Sequence, residues 1–145
     1  MGKKRIVKKG GEGGAATASR AATSTRTSRR KMEAGTVYVE ATYNNTKVSL
    51  SDTTGNVVAW SSSGSLGFAG AKKGTPFAAA KVGELIGDKA TQMGVKEVNV
   101  VVAGVGAGRE SSIRALAGKG IRISAIKDTT PVPHNGPRPK KPRRV

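Results

Sequence analysis

Thr36–Trp60 reads TVYVEATYNNTKVSLSDTTGNVVAW, and its alternation decides the fold. Val37, Val39, Ala41 and Tyr43 alternate with Thr36, Tyr38, Glu40 and Thr42, the two-residue period of a strand with one buried face. Asn44-Asn45 tolerates the positive φ of a tight turn. The next run, Thr46–Asp52, alternates again with Val48 and Leu50 inward, Thr53–Asn56 turns the chain a second time, and Val57–Trp60 makes a third strand. Three short strands joined by tight turns predict an antiparallel meander.

Downstream the period changes. Ser61–Gly74, SSSGSLGFAGAKKG, holds four Gly and four Ser and predicts a long exposed loop. Thr75-Pro76 supplies an N-cap and a first-turn proline. A helical stripe of Phe77, Ala80, Leu85, Ile86, Ala90 and Met93 then runs to a stop at Gly94. Gly83 and Gly87 weaken that helix by roughly 1 kcal/mol each relative to Ala and are expected to mark close packing on the sheet. Lys96–Gly104 predicts a buried strand, Gly104–Arg109 a turn, and Glu110 to about Lys119 a short helix. A last strand is expected to point Ile121, Ile123 and Ala125 inward, with Arg122 and Ser124 outward. With right-handed crossovers the chain is expected to be an α/β protein with a mixed five-stranded sheet. The strand order is 3-2-1-4-5, both main helices lie on one face, and the other face is polar and open.

Outward from this centre, charge dominates. The chain has 145 residues and a formal charge of +17. Residues 1–35 carry ten Lys/Arg against two acids and residues 128–145 five against one, whereas residues 36–127 hold eleven against six. Basic ends on a milder centre are the footprint of a polyanion binder. A membrane surface would call for an amphipathic helix or a lipidation site, which neither end offers. The predicted organisation is a basic low-complexity arm over 1–34, disordered when free, a globular domain over 35–128, and an extended Pro/Lys/Arg-rich tail over 129–145. With no cysteine, thiolate chemistry and Cys-ligated zinc are excluded. The absence of a secretory or membrane-spanning run leads us to expect a cytoplasmic protein.

Three elements could meet RNA. Gly104–Glu110, GVGAGRE, joins a strand to a helix, where backbone amides and the helix dipole attract phosphate. It lacks the spacing of a dinucleotide fingerprint or Walker loop. Gly106, Gly108 and Arg109 are the candidates there, although a turn kept tight only for packing would read the same. Phe68, Lys72 and Lys73 in the long loop combine a ring with two cations, suited to an RNA strand. In the tail, Pro131, Pro133, Pro137, Pro139 and Pro142 lock φ and remove donors, so Arg138, Lys140, Lys141, Arg143 and Arg144 project from a partly stiffened segment. Tyr38, Tyr43 and Trp60 are expected to pack in the core or at a sheet edge. His134 is the only histidine and forms no convincing metal site or triad. An enzyme reading, as a metal-dependent nuclease, would need converging carboxylates, which Glu40, Asp52, Glu84, Asp88, Glu97 and Glu110 do not suggest. Asn135-Gly136 has the chemistry for succinimide formation.

These residues carry a resemblance. DTTPVPHNGPRPKKPRRV, YNNTKVSLSD, GNVVAWSSSGSLGF, KKGTPFAAA and GVGAGRESSIRALAGKGIRISAIKD, taken together, resemble the small-subunit ribosomal protein eleven family in its bacterial form, over about Gly35 to Val145. The resemblance implies a ribonuclease-H-like fold and a structural, non-catalytic component of the small-subunit platform, located on the cytoplasmic ribosome. It implies that the protein bridges separate small-subunit rRNA helices and helps form the cleft for the mRNA Shine-Dalgarno duplex. The partners it implies are rRNA, mRNA, ribosomal proteins seven and eighteen, and initiation factor three, with no cofactor and no metal. Within the matching segments RNA contact is also expected at Asn44, Asn45, Lys47, Thr75, Arg114, His134, Asn135 and Gly136. The chain departs from the family at Ala69, where Arg is common, at Val105 and Ala107, where the turn often has proline, and at Pro137, where Cys is common. A free regulatory RNA-binding protein is the alternative reading. Sedimentation with the small subunit through moderate salt separates the two.

Overall fold

The computed structural model describes residues 31–142. The basic arm up to residue 30, together with Arg143 and Arg144, lies outside the described residues. Five strands, β1 (Ala34–Ala41), β2 (Thr46–Ser51), β3 (Val57–Ser62), β4 (Glu97–Ala103) and β5 (Arg122–Asp128), form one sheet ordered β3-β2-β1-β4-β5. The first three pair antiparallel, while β4 and β5 run parallel to β1. Helices α1 (Pro76–Gln92) and α2 (Gly108–Gly118) pack on each other and on one sheet face. This is the expected order and layering. Val37, Val39, Val48, Leu50, Ala59, Val98, Val100 and Val102 form the inner face and bury against Val82, Ile86, Ala90 and Leu116 of the helices.

Strand β1 starts two residues before the expected Thr36. Met32 is buried, its N–H donates to Met93 O at 3.1 Å, and Lys96 N–H donates to Glu33 O at 3.0 Å, so the end of the basic stretch is held by the core. The helical stripe is rotated from its expected position. Val82, Gly83 and Gly87 face inward, whereas Phe77 is 64% exposed. The small residues determine the inner face because α2 passes too close for larger ones. A Cβ on Gly83 would stand 2.6 Å from Ser112 O, and one on Gly87 would stand 2.7 Å from Lys119 Cγ. The close approach is therefore to α2, not to the sheet.

Two further expectations are corrected at strand ends. Tyr43 does not point inward. β1 ends at Ala41, and Thr42 closes a turn by exchanging hydrogen bonds with Asn45: Thr42 N–H and Oγ1 donate to Asn45 O at 2.9 and 3.0 Å, and Asn45 N–H donates to Thr42 Oγ1 at 3.1 Å. In β5 the register shifts between Ile123, opposite Val98, and Ala125, opposite Asn99. Ser124 is the extra residue of a bulge, so Ala125 turns to the open face and Ile126 takes the inner side at the sheet margin, 59% exposed.

Candidate nucleic-acid interface

Because β1, β4 and β5 are parallel, their carboxyl ends lie together, and β2 begins and β3 ends at the same border, with Lys47 opposite Ser62. The loops beyond that border pack tightly. A Cβ on Gly74 would strike Tyr43 O, one on Gly106 would strike Thr42 O, one on Gly104 would strike Ala41 O, and one on Gly108 would strike Thr46 Oγ1. The β1–β2 turn, the loop before α1 and the glycine-rich turn before α2 thus converge at one end of the molecule. Both helices start there, so the first-turn amides and positive dipole ends of α1 and α2 face the same way.

The side chains at this end follow from local rules. The predicted long loop closes as a short 3-10 turn, Gly70–Gly74, which presents Lys72 and Lys73. Thr75 joins this turn to α1: its Oγ1 donates to Lys72 O at 2.7 Å and accepts from Ala78 N–H at 3.3 Å, capping the helix that Pro76 begins. Asn44 is exposed in the β1–β2 turn, while Asn45 is half-buried with its Oδ1 lacking a partner. Lys47 pairs with Glu40 at 3.4 Å on the open face. Gly106 and Gly108 are buried, and Gly106 N–H donates to Ala41 O at 2.8 Å, so both glycines serve the close packing of the turn.

Arg109 is engaged within the chain. Its guanidinium donates to Gly104 O, to Asp128 Oδ2 and, at 3.1 Å, to Thr130 Oγ1. The Thr130 hydroxyl, together with Arg109, holds the Asp128 carboxyl well below the usual range, at about 2. From there the tail departs. Thr129 N–H still donates to Val102 O at 2.8 Å, extending the β4–β5 edge by one step, and Pro131 has no N–H to continue it. Residues 131–142 are exposed and outside helix and strand, including His134, Asn135, Gly136, Arg138, Lys140 and Lys141. Asn135 has φ +55°, the one non-glycine residue in the left-handed region among those described.

Most of the sequence-predicted residues therefore gather around this end or on the tail that leaves it. Arg114 does not. It lies exposed on α2, roughly 9 Å along the axis from the helix start. Phe68 is half-buried, edge-on to Phe77 with ring centroids 6.1 Å apart, beside a shallow groove of about 350 Å³ lined by Leu66, Leu85, Lys81, Glu84 and Asp88. Two rings missed by pattern reading are the better exposed ones. Tyr43 is 78% exposed in the β1–β2 turn, and Phe77 lies in the first turn of α1 with Lys81 Nζ 5.8 Å from its centroid. A signal for Tyr43 was available, since it directly precedes Asn-Asn and so belongs to the turn. Trp60 and Tyr38, expected to pack, stand exposed on the open sheet face, flanking Ser49 in one cross-strand row. No three metal-ligating side chains gather among the described residues, and none of their helices is long and apolar enough to cross a membrane.

The family model described as ribosomal protein S11 matches residues 35–144. A small ribosomal subunit protein uS11 of Treponema pallidum (strain Nichols) is 51% identical over 125 residues, covering 86% of this chain and 99% of that protein. The uS11 of Solibacter usitatus is 53% identical over 117 residues, covering 81% of this chain and 87% of its own length. The uS11 of Gloeobacter violaceus is 51% identical over 117 residues, covering 81% and 90%.

Proposed function

Because the chain belongs to the ribosomal protein S11 family, we propose that it is a structural, non-catalytic constituent of the small ribosomal subunit. In this role it grips small-subunit rRNA with the carboxyl end of its sheet and with its proline-rich tail. The observation that supports this most is the convergence of both helix N-termini, Lys72, Lys73 and the tail exit on one border of the fold. Phosphates there meet amides, dipoles and cations together, while the packed glycines keep the surface shallow enough for an RNA strand to approach.

In this reading Lys72, Lys73, Thr75, Asn44, Asn45 and Lys47 line one rRNA contact. His134, Asn135, Gly136, Arg138, Lys140, Lys141, Arg143 and Arg144 line another along the tail, and Arg114 reaches a third strand from α2. The protein thereby bridges separate rRNA helices of the platform and helps shape the cleft that receives the mRNA Shine-Dalgarno duplex. Ribosomal proteins seven and eighteen and initiation factor three are its protein neighbours on the cytoplasmic ribosome. Affinity comes mainly from released counterions, so the five tail cations should contribute roughly 3.5 to 4.5 to the salt slope at 0.7 to 0.9 per phosphate.

The test is binding of the full chain and of a chain ending at Asp128 to a small-subunit rRNA transcript across a salt series. A loss of about four units of slope on truncation is expected. An unchanged slope sinks the tail's role, and absence of saturable binding by the full chain sinks the reading as a whole.

A further inference from the structure

We infer that Arg109 acts as a positioning residue, clamping Asp128, Thr130 and the Gly104 carbonyl so that the cationic tail leaves the sheet in one direction, rather than neutralising a phosphate itself. The inference rests on the RNA-binding reading above and supplies the device that aims the tail.

The geometry joins three elements at the tail's root. Arg109 is the second residue of α2, Gly104 follows β4, and Asp128 ends β5. One guanidinium nitrogen serves Gly104 O and Thr130 Oγ1, and another serves Asp128 Oδ2. Thr130 completes the network: its hydroxyl donates to Asp128 Oδ1 at 2.6 Å and accepts from Gly104 N–H at 3.2 Å, and its N–H donates to Asp128 Oδ1 at 2.8 Å. Every polar atom of Thr130's hydroxyl and amide is thus used to fix the last residue before Pro131.

Two features separate a clamp from a phosphate contact. The Asp128 carboxylate sits directly on the guanidinium, so the pair presents almost no net charge to an incoming phosphate. Arg109 is also only 31% exposed, with its donors directed at acceptors on three segments of the chain. A planar fork can bridge such acceptors, and a lysine ammonium, a point charge on a flexible stem, cannot hold them in the same way. Fixing Thr129 and Thr130 before RNA arrives removes part of the ordering cost of tail docking. Asp128 is ionised throughout the neutral range like any carboxylate, and the bonds from Thr130 and Arg109 hold its pKa lower still, at about 2, so the clamp loses its charge pair only in strong acid.

The full-length protein, Arg109→Gln, Arg109→Lys, Asp128→Ala and the Arg109→Gln/Asp128→Ala double variant are titrated with the same rRNA transcript across salt. A clamp predicts that each single variant loses about 5- to 30-fold in affinity, the equivalent of ordering roughly one more residue. It also predicts that the double variant is no worse than the poorer single one, that Lys does not rescue, and that the salt slope stays at the wild-type value. A phosphate contact predicts the opposite signs: Arg109→Gln lowers the slope by about 0.7 to 0.9, Lys largely rescues, and Asp128→Ala tightens binding by removing a repulsive charge. Any of those three results overturns the clamp. A readout without RNA guards against misfolding. Nitrogen-15 relaxation of the free chain should show Thr130 as rigid as β5 in the wild type and as mobile as the tail in Arg109→Gln, with the core amides unchanged; unaltered Thr130 relaxation also overturns the clamp. Failure of the wild type to bind, or of truncation to matter, strikes the functional reading instead.

Discussion

Thr46 has a fully buried hydroxyl with no hydrogen-bond partner, and Gly108 packs against it. Valine has the same shape without the polar atom, so Thr46→Val should leave thermal stability unchanged or raise it by up to about 1 kcal/mol, because an unsatisfied buried hydroxyl is costly. Gly108→Ala should destabilise by about 1–3 kcal/mol, since its Cβ would collide with Thr46 and Ala79. Asp52 shows the same economy in polar form. Its carboxylate accepts from Thr54 Oγ1 at 2.6 Å, Thr54 N–H at 2.9 Å and Asn56 N–H at 3.0 Å, and the Thr54 hydroxyl foremost lowers its pKa from 3.8 to about 2. A group depressed in the folded state stabilises above its unfolded pKa and loses that contribution as pH falls through the folded one. Denaturation midpoints of the wild type should therefore drop between about pH 4 and pH 2, and the drop should be smaller in Asp52→Asn, which already lacks the charge. An identical acid profile for the two proteins would refute the assignment. At this scale the sequence showed which residues were turn formers. The nearest collision partners of Gly104, Gly106 and Gly108 come from residues 41–46, some sixty positions away, and no local pattern encodes them.

Helix α1 illustrates what decides an element. Its start was legible because a cap is a local hydrogen bond: Thr75 and Pro76 do in the structure what their chemistry predicts. Its inner face was not, because hydrophobic weighting favours Phe77 over Gly83, while the helix pair is limited by how closely two backbones can approach. Gly83→Ala gains roughly 1 kcal/mol of helix propensity yet places a methyl 2.6 Å from the Ser112 carbonyl. Backbone cannot yield cheaply, so the clash should win and the midpoint of chemical denaturation should fall. Gly118, where an added Cβ would meet nothing within 4 Å, provides the control. Gly118→Ala should raise stability by a few tenths to about 1 kcal/mol. Strand β5 carries the parallel lesson, since one extra residue, Ser124, reverses the faces of everything after it.

At the scale of the whole molecule the sheet has one face under two helices and one open face carrying Tyr38, Ser49 and Trp60 in a row. Trp60 is the only tryptophan and is 58% exposed, so it reports on that face alone. Its fluorescence in the free protein should be quenched readily by acrylamide, and Trp60→Ala should change stability by no more than about 1 kcal/mol. Leu50→Ala, which empties a fully buried site on the opposite face, should cost about 2–5 kcal/mol. A protected indole or a reversal of those costs would mean that the faces are misassigned.

By itself the sequence determined the cap of α1 and the cationic, proline-locked character of the tail, because these depend on neighbours a few residues apart or on composition. It determined the strand order and one-sided layering because local periodicity places the elements and the handedness of crossovers then allows few arrangements. Only the tertiary structure decided that the β1–β2 turn, the lysine-bearing loop, the glycine-rich turn and the root of the tail share one border, that Tyr43 and Phe77 are exposed there, and that Arg109 is held by Asp128 and Thr130. Those outcomes depend on parallel strands bringing distant carboxyl ends together and on how closely backbones can pass, quantities that exist only once the chain has closed on itself.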